Sequence, residues 1–300
     1  MHGILIIDKE KGYTSRDVVN IVSKKLNTRK IGHTGTLDPI ATGVLVLCIG
    51  DATKVVELLT SDDKEYIAEV TLGIETNTLD ITGEVINKMD KYISKEEIEK
   101  VLESYNKEYM QEVPLYSAIR VNGERLYDYA FDNVKEKVLP DELPKRKVKI
   151  ENIKLVSDIE YIDSLIKFSF SCKVSKGTYI RSLIRDIAHS LNTIGVMSNL
   201  RRTRQGNFKI EDAIKIDELK ENIKLTKMID VLTKYKRIDM DSNLYFKVNN
   251  GQVLENRYDE DEILFVYNNE PIFLYKKDEK DSSKIRPWKK LSIERWYYEK

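Results

Sequence analysis

The sequence predicts an α+β protein in which helices flank a mixed, mainly antiparallel central sheet, with a small β-rich domain at the C-terminal end. Strand-like and helix-like segments interleave along most of the 300 residues, but without the regular β–α–β order that a parallel sheet requires. After about residue 235, short β-branched and aromatic runs are separated by asparagine-rich turns. We therefore expect a large domain over residues 1–234 and a small one over residues 235–300.

The first 60 residues predict a strand, a helix, a loop and a second strand. ILII (4–7) is a short apolar run, and TSRD (14–17) has the spacing of a capping box that opens an amphipathic helix. A glycine-rich loop follows. The continuous apolar run at 44–49 then indicates a buried strand, which precedes a helix over 51–60.

The next segments predict a half-buried strand and a capped helix. Residues 65–73 alternate, and the side chains on one side are Tyr66, Ala68, Val70 and Leu72. SKEE (94–97) is a second capping box, which opens a helix to about residue 105. Residues 112–145 are rich in loop-forming residues and contain a short helix near 124–131, so we expect an insertion in the large domain.

The remaining segments complete the two domains. Two β-branched runs, 147–156 and 164–174, lead through a glycine turn into a helix with an apolar face formed by Ile180, Leu183, Ile184, Ile187 and Leu191. In the small domain, YFKV (245–248) and ILFVY (263–267) predict strands.

Charge is unevenly distributed, although the formal net charge is zero. Residues 143–209 contain 14 lysines and arginines but only 5 acidic residues. The net charge of this part is therefore +9, and that of the remaining residues is −9. This segregation favours a phosphate-rich partner such as RNA, although a solvated basic face is an equally good explanation of the charge alone.

The two cysteines, Cys48 and Cys172, lie in apolar or alternating runs and form no disulfide framework. The sequence contains no CxxC, HExxH or Cys/His cluster, so we expect no metal. The apolar run at the N-terminus is far shorter than the core of a signal peptide, and no run approaches the length of a membrane span. These features predict a cytoplasmic protein with no membrane partner.

The run GHTGTLDPIATGVLVLCIG (32–50) places one carboxylate, Asp38, between a glycine-rich loop and a buried strand. Pro39 biases Asp38 toward an extended backbone, which can present the carboxylate rigidly to a ligand. Asp-Pro is also an ordinary start of a turn, so a turn without chemistry is the alternative. The loop lacks the Walker A pattern, which disfavours a nucleoside triphosphate site.

Four other residues have both a structural and a functional interpretation. His33 is not part of a catalytic triad, because no nucleophilic Ser or Cys is nearby in the sequence. It either bonds to the backbone of its loop or contacts a base or phosphate. Tyr66 either packs in the core or faces a substrate. Tyr179 and Arg181 start a helix outside its apolar stripe, where Arg181 is either solvated or orients a functional carboxylate.

Together with five other segments, the run at 32–50 resembles the signature of the TruB-type tRNA pseudouridine synthases. The other similar segments, which occur in the order of that family's motifs, are IIDKEKGYTSRDVV (6–19), KEYIAEVTLG (64–73), PLYSAIRVNGERLYDYA (114–130), SKGTYIRSLIRDIA (175–188) and NLRRTRQGNF (199–208). One departure is Glu10, which stands where the family commonly has proline. VNNGQVL (248–254) resembles the small PUA-like RNA-binding domain of bacterial members.

The resemblance implies the pseudouridine synthase fold and an isomerase that converts the uridine at position 55, in the T loop of tRNA, to pseudouridine. The glycosidic bond of a flipped-out nucleotide is cleaved, the base rotates, and C1′ bonds to C5. Asp38 is then the catalytic residue, assisted by Tyr66 and Arg181. The resemblance implies no cofactor, no guide RNA and no obligatory protein partner.

It also implies a set of substrate-binding residues. Tyr66 stacks on the uracil and helps to remove the C5 proton, Tyr179 and Leu200 line the pocket, and His33 helps to hold the nucleotide out. Residues 112–145 would close on the RNA arm. The predicted phosphate contacts are Lys9, Lys176, Arg201, Arg202 and Arg204.

Three other functions remain open at this point. A non-catalytic RNA-binding or RNA-folding protein would use the same pocket as a clamp, although a clamp has no need of Asp38, Tyr66 and Arg181 together. A phosphate-cradle NTPase is disfavoured by the loop pattern. A guide-RNA-directed synthase would share the pocket but require another RNA.

Overall fold

A large mixed sheet forms the centre of the protein in this computed structural model, which describes residues 2–60, 62–131 and 143–292. Part of the predicted insertion, 132–142, and the last eight positions of the predicted small domain lie outside the described residues.

The strands are β1 (Gly3–Lys9), β2 (Ile31–His33), β3 (Thr42–Ile49), β4 (Lys64–Leu72), β5 (Ile74–Thr76), β6 (Val85–Lys88), β7 (Glu108–Glu112), β8 (Arg120–Val121), β9 (Glu124–Arg125), β10 (Lys145–Leu155), β11 (Glu160–Ile162), β12 (Leu165–Val174), β13 (Gly195–Gln205), β14 (Phe208–Lys209), β15 (Lys236–Asp239), β16 (Leu254–Glu255), β17 (Glu262–Tyr267), β18 (Glu270–Lys277) and β19 (Lys284–Lys290). The helices are α1 (Ser15–Lys25), α2 (Val56–Thr60), α3 (Lys95–Ser104), α4 (Leu126–Phe131), α5 (Ile180–Ser190), α6 (Met228–Val231) and α7 (Ser242–Asn249), with 3₁₀ turns at Gly50–Val55 and Ile210–Asp212.

The central sheet has the order β1-β3-β13-β4-β12-β10-β7, with β2, β11 and β14 attached beside this path. Neighbouring strands are antiparallel, except that β3 and β13 run parallel. The predicted fold class, α+β with a mainly antiparallel sheet, is confirmed.

Local sequence signals explain the main helices of the large domain. Thr14 and Asp17 form the predicted capping box at the start of α1, and Ser94 and Glu97 form the one that opens α3. The apolar face of α5 is buried against the sheet, in one core with the inward face of β4. No helix of the described part of the chain is long and apolar enough to cross a membrane.

The continuous apolar run of β3 is buried on both faces. Leu45, Leu47 and Ile49 point into the core beneath the helices. Val44 and Val46 point to the opposite face, into a second core that includes side chains of β17 and β18. Because both faces are covered, this strand has no polar alternation.

The C-terminal part forms a second sheet of five strands, in the order β15-β17-β18-β19-β16. Since β15 begins at Lys236, we retain the division between residues 234 and 235 as a proposal. The prediction of a strand for YFKV (245–248) was wrong, because these residues lie in α7. The Asp241 side chain accepts a hydrogen bond from Leu244 N at 2.7 Å, so a cap starts a helix where the aromatic run alone suggested a strand.

Candidate active site

A cavity of about 360 Å³ opens beside the central sheet, between the loop before β3 and the start of α5. This volume is in the range of small-molecule sites. Five predicted residues meet there: Asp38, Tyr66, Tyr179, Arg181 and Leu200. The complete lining is Thr36, Leu37, Asp38, Tyr66, Tyr116, Ser117, Ala118, Tyr127, Thr178, Tyr179, Ile180, Arg181, Met197 and Leu200.

Asp38 and Arg181 form an ion pair at the wall of the cavity. Arg181 Nε lies 3.0 Å from Asp38 Oδ2. The other two guanidinium nitrogens donate to Thr78 O and Tyr116 O, both at 3.1 Å. The Arg181 side chain is only 8% exposed, whereas that of Asp38 is 37% exposed. The guanidinium is therefore held by three acceptors, while the carboxylate remains accessible from the cavity.

The loop that carries Asp38 is fixed by hydrogen bonds to α1 and to the loop before it. Leu37 N donates to Ser15 Oγ at 2.9 Å, and the same hydroxyl donates to Leu37 O at 3.2 Å. Gly12 N donates to Pro39 O at 2.8 Å, and Ala41 N donates to Asp38 O at 3.0 Å. The extended backbone expected before a proline is thus anchored on both sides of the carboxylate.

Gly43 permits the close approach of β3 to β13. Its φ is +99°, and a Cβ atom there would lie 2.2 Å from Arg202 O. Any side chain would collide with the backbone of β13, so the two parallel strands could not pair at this level. The register places Arg202 opposite Gly43, close to the loop that carries Asp38.

Tyr66 and Leu200 form adjoining walls of the cavity. Tyr66 is the first inward side chain of β4, and only 7% of it is exposed. Leu200 lies on the neighbouring strand β13 and is 6% exposed. Tyr66 therefore belongs to the core and also borders the cavity, and its contact with a substrate stays a prediction. Tyr179 immediately precedes α5 and lies below the Arg146 guanidinium, 6.0 Å from the ring centre.

Lys9 and Arg202 do not lie where phosphate contacts require them, and that part of the prediction was wrong. Both are buried, at 0% and 1% exposure. Lys9 Nζ donates to Tyr13 O at 2.7 Å and to Glu10 O at 3.0 Å, and Pro39 O lies 3.5 Å away. Burial lowers the pKa of Lys9 to about 8.

Arg202, on β13, forms hydrogen bonds to β3 and to the loop that carries Asp38. Its Nε donates to Val44 O at 2.6 Å, and its Nη2 donates to Gly35 O at 3.0 Å. Lys64 lies close to Arg202. Both side chains approach Gly35, since a Cβ atom built on Gly35 would lie 3.3 Å from Arg202 Nη1 and 3.4 Å from Lys64 Cε. Burial, followed by the charge of Arg202, lowers the pKa of Lys64 to about 8.

The other predicted phosphate contacts lie nearer to solvent. Lys176 is exposed. Arg201 pairs with Asp8 at 2.8 Å, and its side chain is 40% exposed. Arg204 pairs with Glu65 at 2.5 Å. For these three residues, contact with phosphate stays a prediction.

His33 lies on β2 and is half-buried, but it is not part of the cavity lining. Its Nδ1 has no hydrogen-bond partner among the described residues. Burial, followed by the charges of Arg16 and Arg202, lowers the pKa of His33, which favours the neutral ring. A role in holding out a flipped nucleotide stays a prediction.

Sequence reasoning missed the groups that hold Arg181 and the loop. Thr78 and Tyr116 accept from Arg181 through backbone carbonyls, which leave no signal in a sequence. Gln205 Nε2 donates to Thr34 Oγ1 at 2.5 Å and thus supports the same loop. Among the residues that the structure describes, no three His, Cys, Asp or Glu side chains converge to form a metal site.

Comparisons with known proteins identify the family to which the chain is similar. The family described as "TruB family pseudouridylate synthase (N terminal domain)" matches residues 23–180, and "tRNA pseudouridylate synthase B C-terminal domain" matches residues 181–235. The tRNA pseudouridine synthase B of Bacillus subtilis is 39% identical over 267 residues, which cover 85% of this chain and 84% of that protein.

Two further proteins extend the comparison. The tRNA pseudouridine synthase B of Alkaliphilus oremlandii is 47% identical over 225 residues, which cover 74% of this chain and 72% of the relative. A solved structure of an H/ACA RNP bound to a substrate RNA containing 2'-deoxyuridine shares the fold, with a TM-score of 0.70 at 24% identity over 98% of this chain and 86% of that chain. The chain belongs to the TruB family of pseudouridylate synthases.

Proposed function

We propose that this protein isomerises the uridine at position 55, in the T loop of tRNA, to pseudouridine, and that it acts in the cytoplasm without a guide RNA or an obligatory protein partner. The observation that carries the proposal is the Asp38–Arg181 pair in a cavity bordered by Tyr66 and Tyr179. Membership of the TruB family and the names of the relatives support tRNA as the substrate. The two buried cysteines, which are both free, fit a reducing compartment.

The reaction needs no oxidant and no energy carrier. The C1′–N1 bond breaks, the uracil rotates, and C1′ bonds to C5; the base loses the C5 proton and gains one at N1. Breaking the glycosidic bond leaves C1′ electron-poor, and a carboxylate at such a centre attacks covalently or stabilises the positive charge. Asp38 is the acidic side chain of the described cavity lining, and we assign this role to it.

Arg181 orients the carboxylate. Its guanidinium also donates to two backbone carbonyls, which hold it in one orientation beside Asp38. The arginine side of the ion pair is buried, whereas the carboxylate side is partly exposed. The arginine therefore contributes a fixed charge and a fixed direction to Asp38.

The target nucleotide must leave the RNA stack to reach Asp38, which costs a few kcal/mol. We assign Tyr66 to stacking on the flipped uracil and to assisting removal of the C5 proton. Tyr179 and Leu200 complete the walls, and the described part of the insertion contributes Tyr116 and Tyr127. Aromatic walls of this kind offset the loss of base stacking.

The remaining parts of the proposal concern RNA binding. We assign the exposed Lys176 to phosphate contact, which gives affinity that depends on salt but not on sequence. Residues 235–300 are proposed to act as a PUA-like RNA-binding domain. Their sheet also covers one face of β3, so this domain contributes to stability as well.

The decisive experiment replaces Asp38 with asparagine and follows tritium release from tRNA labelled at C5 of uridine. We expect normal tRNA binding and no detectable release. Asp158→Asn is the matched control, since it removes the same charge from an exposed position outside the cavity, and it should retain wild-type activity. Near wild-type turnover by Asp38→Asn would exclude the proposed role.

The same assay separates the other functions. If the wild-type protein binds tRNA but releases no tritium, it is an RNA-binding protein rather than an isomerase. Activity on an unmodified transcript, with no other RNA or protein added, excludes a guide-directed synthase. Mapping the product at position 55 confirms the T loop as the target.

A further inference from the structure

Gln111 is a buried amide on β7, a strand that does not line the cavity. It is 0% exposed, and its hydrogen bonds lead directly to the cavity wall. Its Oε1 accepts from Tyr179 N at 2.8 Å, and its Nε2 donates to Tyr179 O at 3.2 Å. One side-chain amide thus binds both backbone groups of the residue that begins the wall at α5.

These contacts fix the orientation of the amide. The Tyr179 N–H only donates and its carbonyl only accepts, so the two ends of the Gln111 amide cannot be exchanged. Nε2 also donates to Tyr109 Oη at 2.8 Å, and Tyr109 Oη donates to Asp186 Oδ2 at 3.1 Å. Burial, followed by the charge of Asp186, raises the pKa of Tyr109, so this hydroxyl keeps its proton and remains a donor.

The site of these bonds is mechanically important. Tyr179 is the N-cap residue of α5, and its own side chain forms no capping hydrogen bond within the part of the chain that the structure describes. Arg181, which pairs with Asp38, lies two residues further on. A shift of the chain at Tyr179 would therefore move both the wall tyrosine and the guanidinium.

We propose that Gln111 is a positioning residue of the active site, which fixes the backbone at Tyr179 so that its ring and Arg181 keep their places beside Asp38. This inference rests on the function proposed above. Gln111 touches neither the substrate nor the reacting atoms. It acts by holding the start of α5 against β7, the strand that leads into the segment carrying Tyr116.

The test uses two substitutions of nearly the same size. Gln111→Met removes all three hydrogen bonds, and Gln111→Glu keeps the shape but places an oxygen against the Tyr179 carbonyl. Because a displacement of about 1 Å at an active site can lower a rate by about 10²-fold, we expect a fall of this order in the single-turnover rate of pseudouridine formation at saturating enzyme. The dissociation constant for tRNA should change little.

Leu102→Ala is the control for a purely structural effect. It removes a buried side chain of α3 from the core that also contains the apolar face of α5. A leucine side chain cannot form a hydrogen bond, so this substitution removes none from Tyr179. We expect it to lower the melting temperature while keeping the wild-type single-turnover rate in the folded protein. If Leu102→Ala slows the reaction as much as Gln111→Met at equal stability, or if both Gln111 variants react at the wild-type rate, the inference is wrong.

Amide hydrogen exchange gives a readout that does not depend on activity. The Tyr179 amide should exchange faster in Gln111→Met than in the wild-type protein. In Leu102→Ala, the ratio of its exchange rate to those of neighbouring amides should stay as in the wild-type protein. Unchanged exchange in Gln111→Met would contradict the proposed role of Gln111. If the wild-type protein forms no pseudouridine, the proposed function fails, while exchange at Tyr179 still tests whether Gln111 fixes the backbone there.

Discussion

Replacing Arg202 with methionine tests whether this cation serves the RNA or the protein. The family resemblance implied a phosphate contact for Arg202, but the structure buries its side chain next to the loop that carries Asp38. Its two hydrogen bonds end on backbone carbonyls, at Val44 and Gly35. Methionine keeps the aliphatic part of the side chain but ends near the Nε position and has no donor.

The cost follows from the two carbonyls that lose their donor. Leaving a buried polar group without a partner costs about 1–3 kcal/mol, so two such groups cost about 2–6 kcal/mol. Part of this is offset because a methionine, unlike a guanidinium, need not be stripped of hydration. We expect a net loss of about 2–4 kcal/mol, which in a chain of 300 residues lowers the melting temperature by roughly 3–6 °C.

The assay measures tRNA affinity as a function of salt for Arg202→Met and for Lys176→Met. A residue that contacts one phosphate contributes about one unit to the slope of log affinity against log salt concentration. We expect Lys176→Met to reduce the slope by about that amount. Arg202→Met, measured below its melting temperature, should keep the wild-type slope.

Two results would contradict this reasoning. A reduced salt slope in Arg202→Met with unchanged stability would place the guanidinium against phosphate rather than under the loop. An unchanged melting temperature would show that the two carbonyls do not depend on Arg202. Arg202→Lys is a useful companion, since it keeps the charge but cannot reproduce the two-nitrogen contact and should remain destabilised.

Three further predictions concern the hydroxyl of Tyr66, the small domain and the buried lysines. Tyr66→Phe should keep tRNA affinity but slow tritium release by about 10²-fold, because proton transfer by a positioned side chain contributes at least that much; a wild-type rate would show that only the ring matters. Truncation after residue 234 should cause unfolding or aggregation in a thermal melt, not merely weaker binding, because it exposes apolar side chains of β1 and β3; a wild-type melting temperature would contradict this. Lys9 and Lys64 have pKa values of about 8 in the folded protein, below the ordinary 10.5, so near pH 8 these two groups bind more protons in the unfolded chain than in the folded one. Stability against urea should therefore rise between about pH 7.5 and about pH 8.5, before the unfolded chain loses protons from its tyrosines and from the two cysteines, whose pKa values burial raises in the folded protein; a fall over this interval would show that these lysines are solvated.

Short-range patterns explain what the sequence predicted well. The capping boxes at Thr14 and Ser94 start helices through contacts between residues three apart, which a sequence displays directly. The alternation in β4 identified its buried face, including Tyr66. The same kind of reasoning failed at 245–248, where the cap at Asp241 outweighed the preference of aromatic and β-branched residues for strands.

Long-range contacts explain what the sequence could not predict. Arg202 is 158 positions from Val44 in the chain, and the bond that buries it exists only because β3 and β13 pair in one register. Gln111 is 68 positions from Tyr179. Neither backbone partner differs in sequence from any other peptide group, so even the correct family motif leaves a buried cation looking like a solvated one.

Lys9, which is buried, and Lys64, which is half-buried, lie beside Arg202 near the loop that carries Asp38. Burial and the charge of Arg202 lower the pKa of both lysines, and attraction by Asp38 counteracts this at Lys9. Mobile ions screen buried charges far less than exposed ones, so this attraction persists at salt concentrations that weaken RNA binding. The basic residues predicted to contact phosphate therefore divide into exposed ones available to phosphate and buried ones that contact the loop carrying Asp38, a division set by the fold and invisible in the net charge.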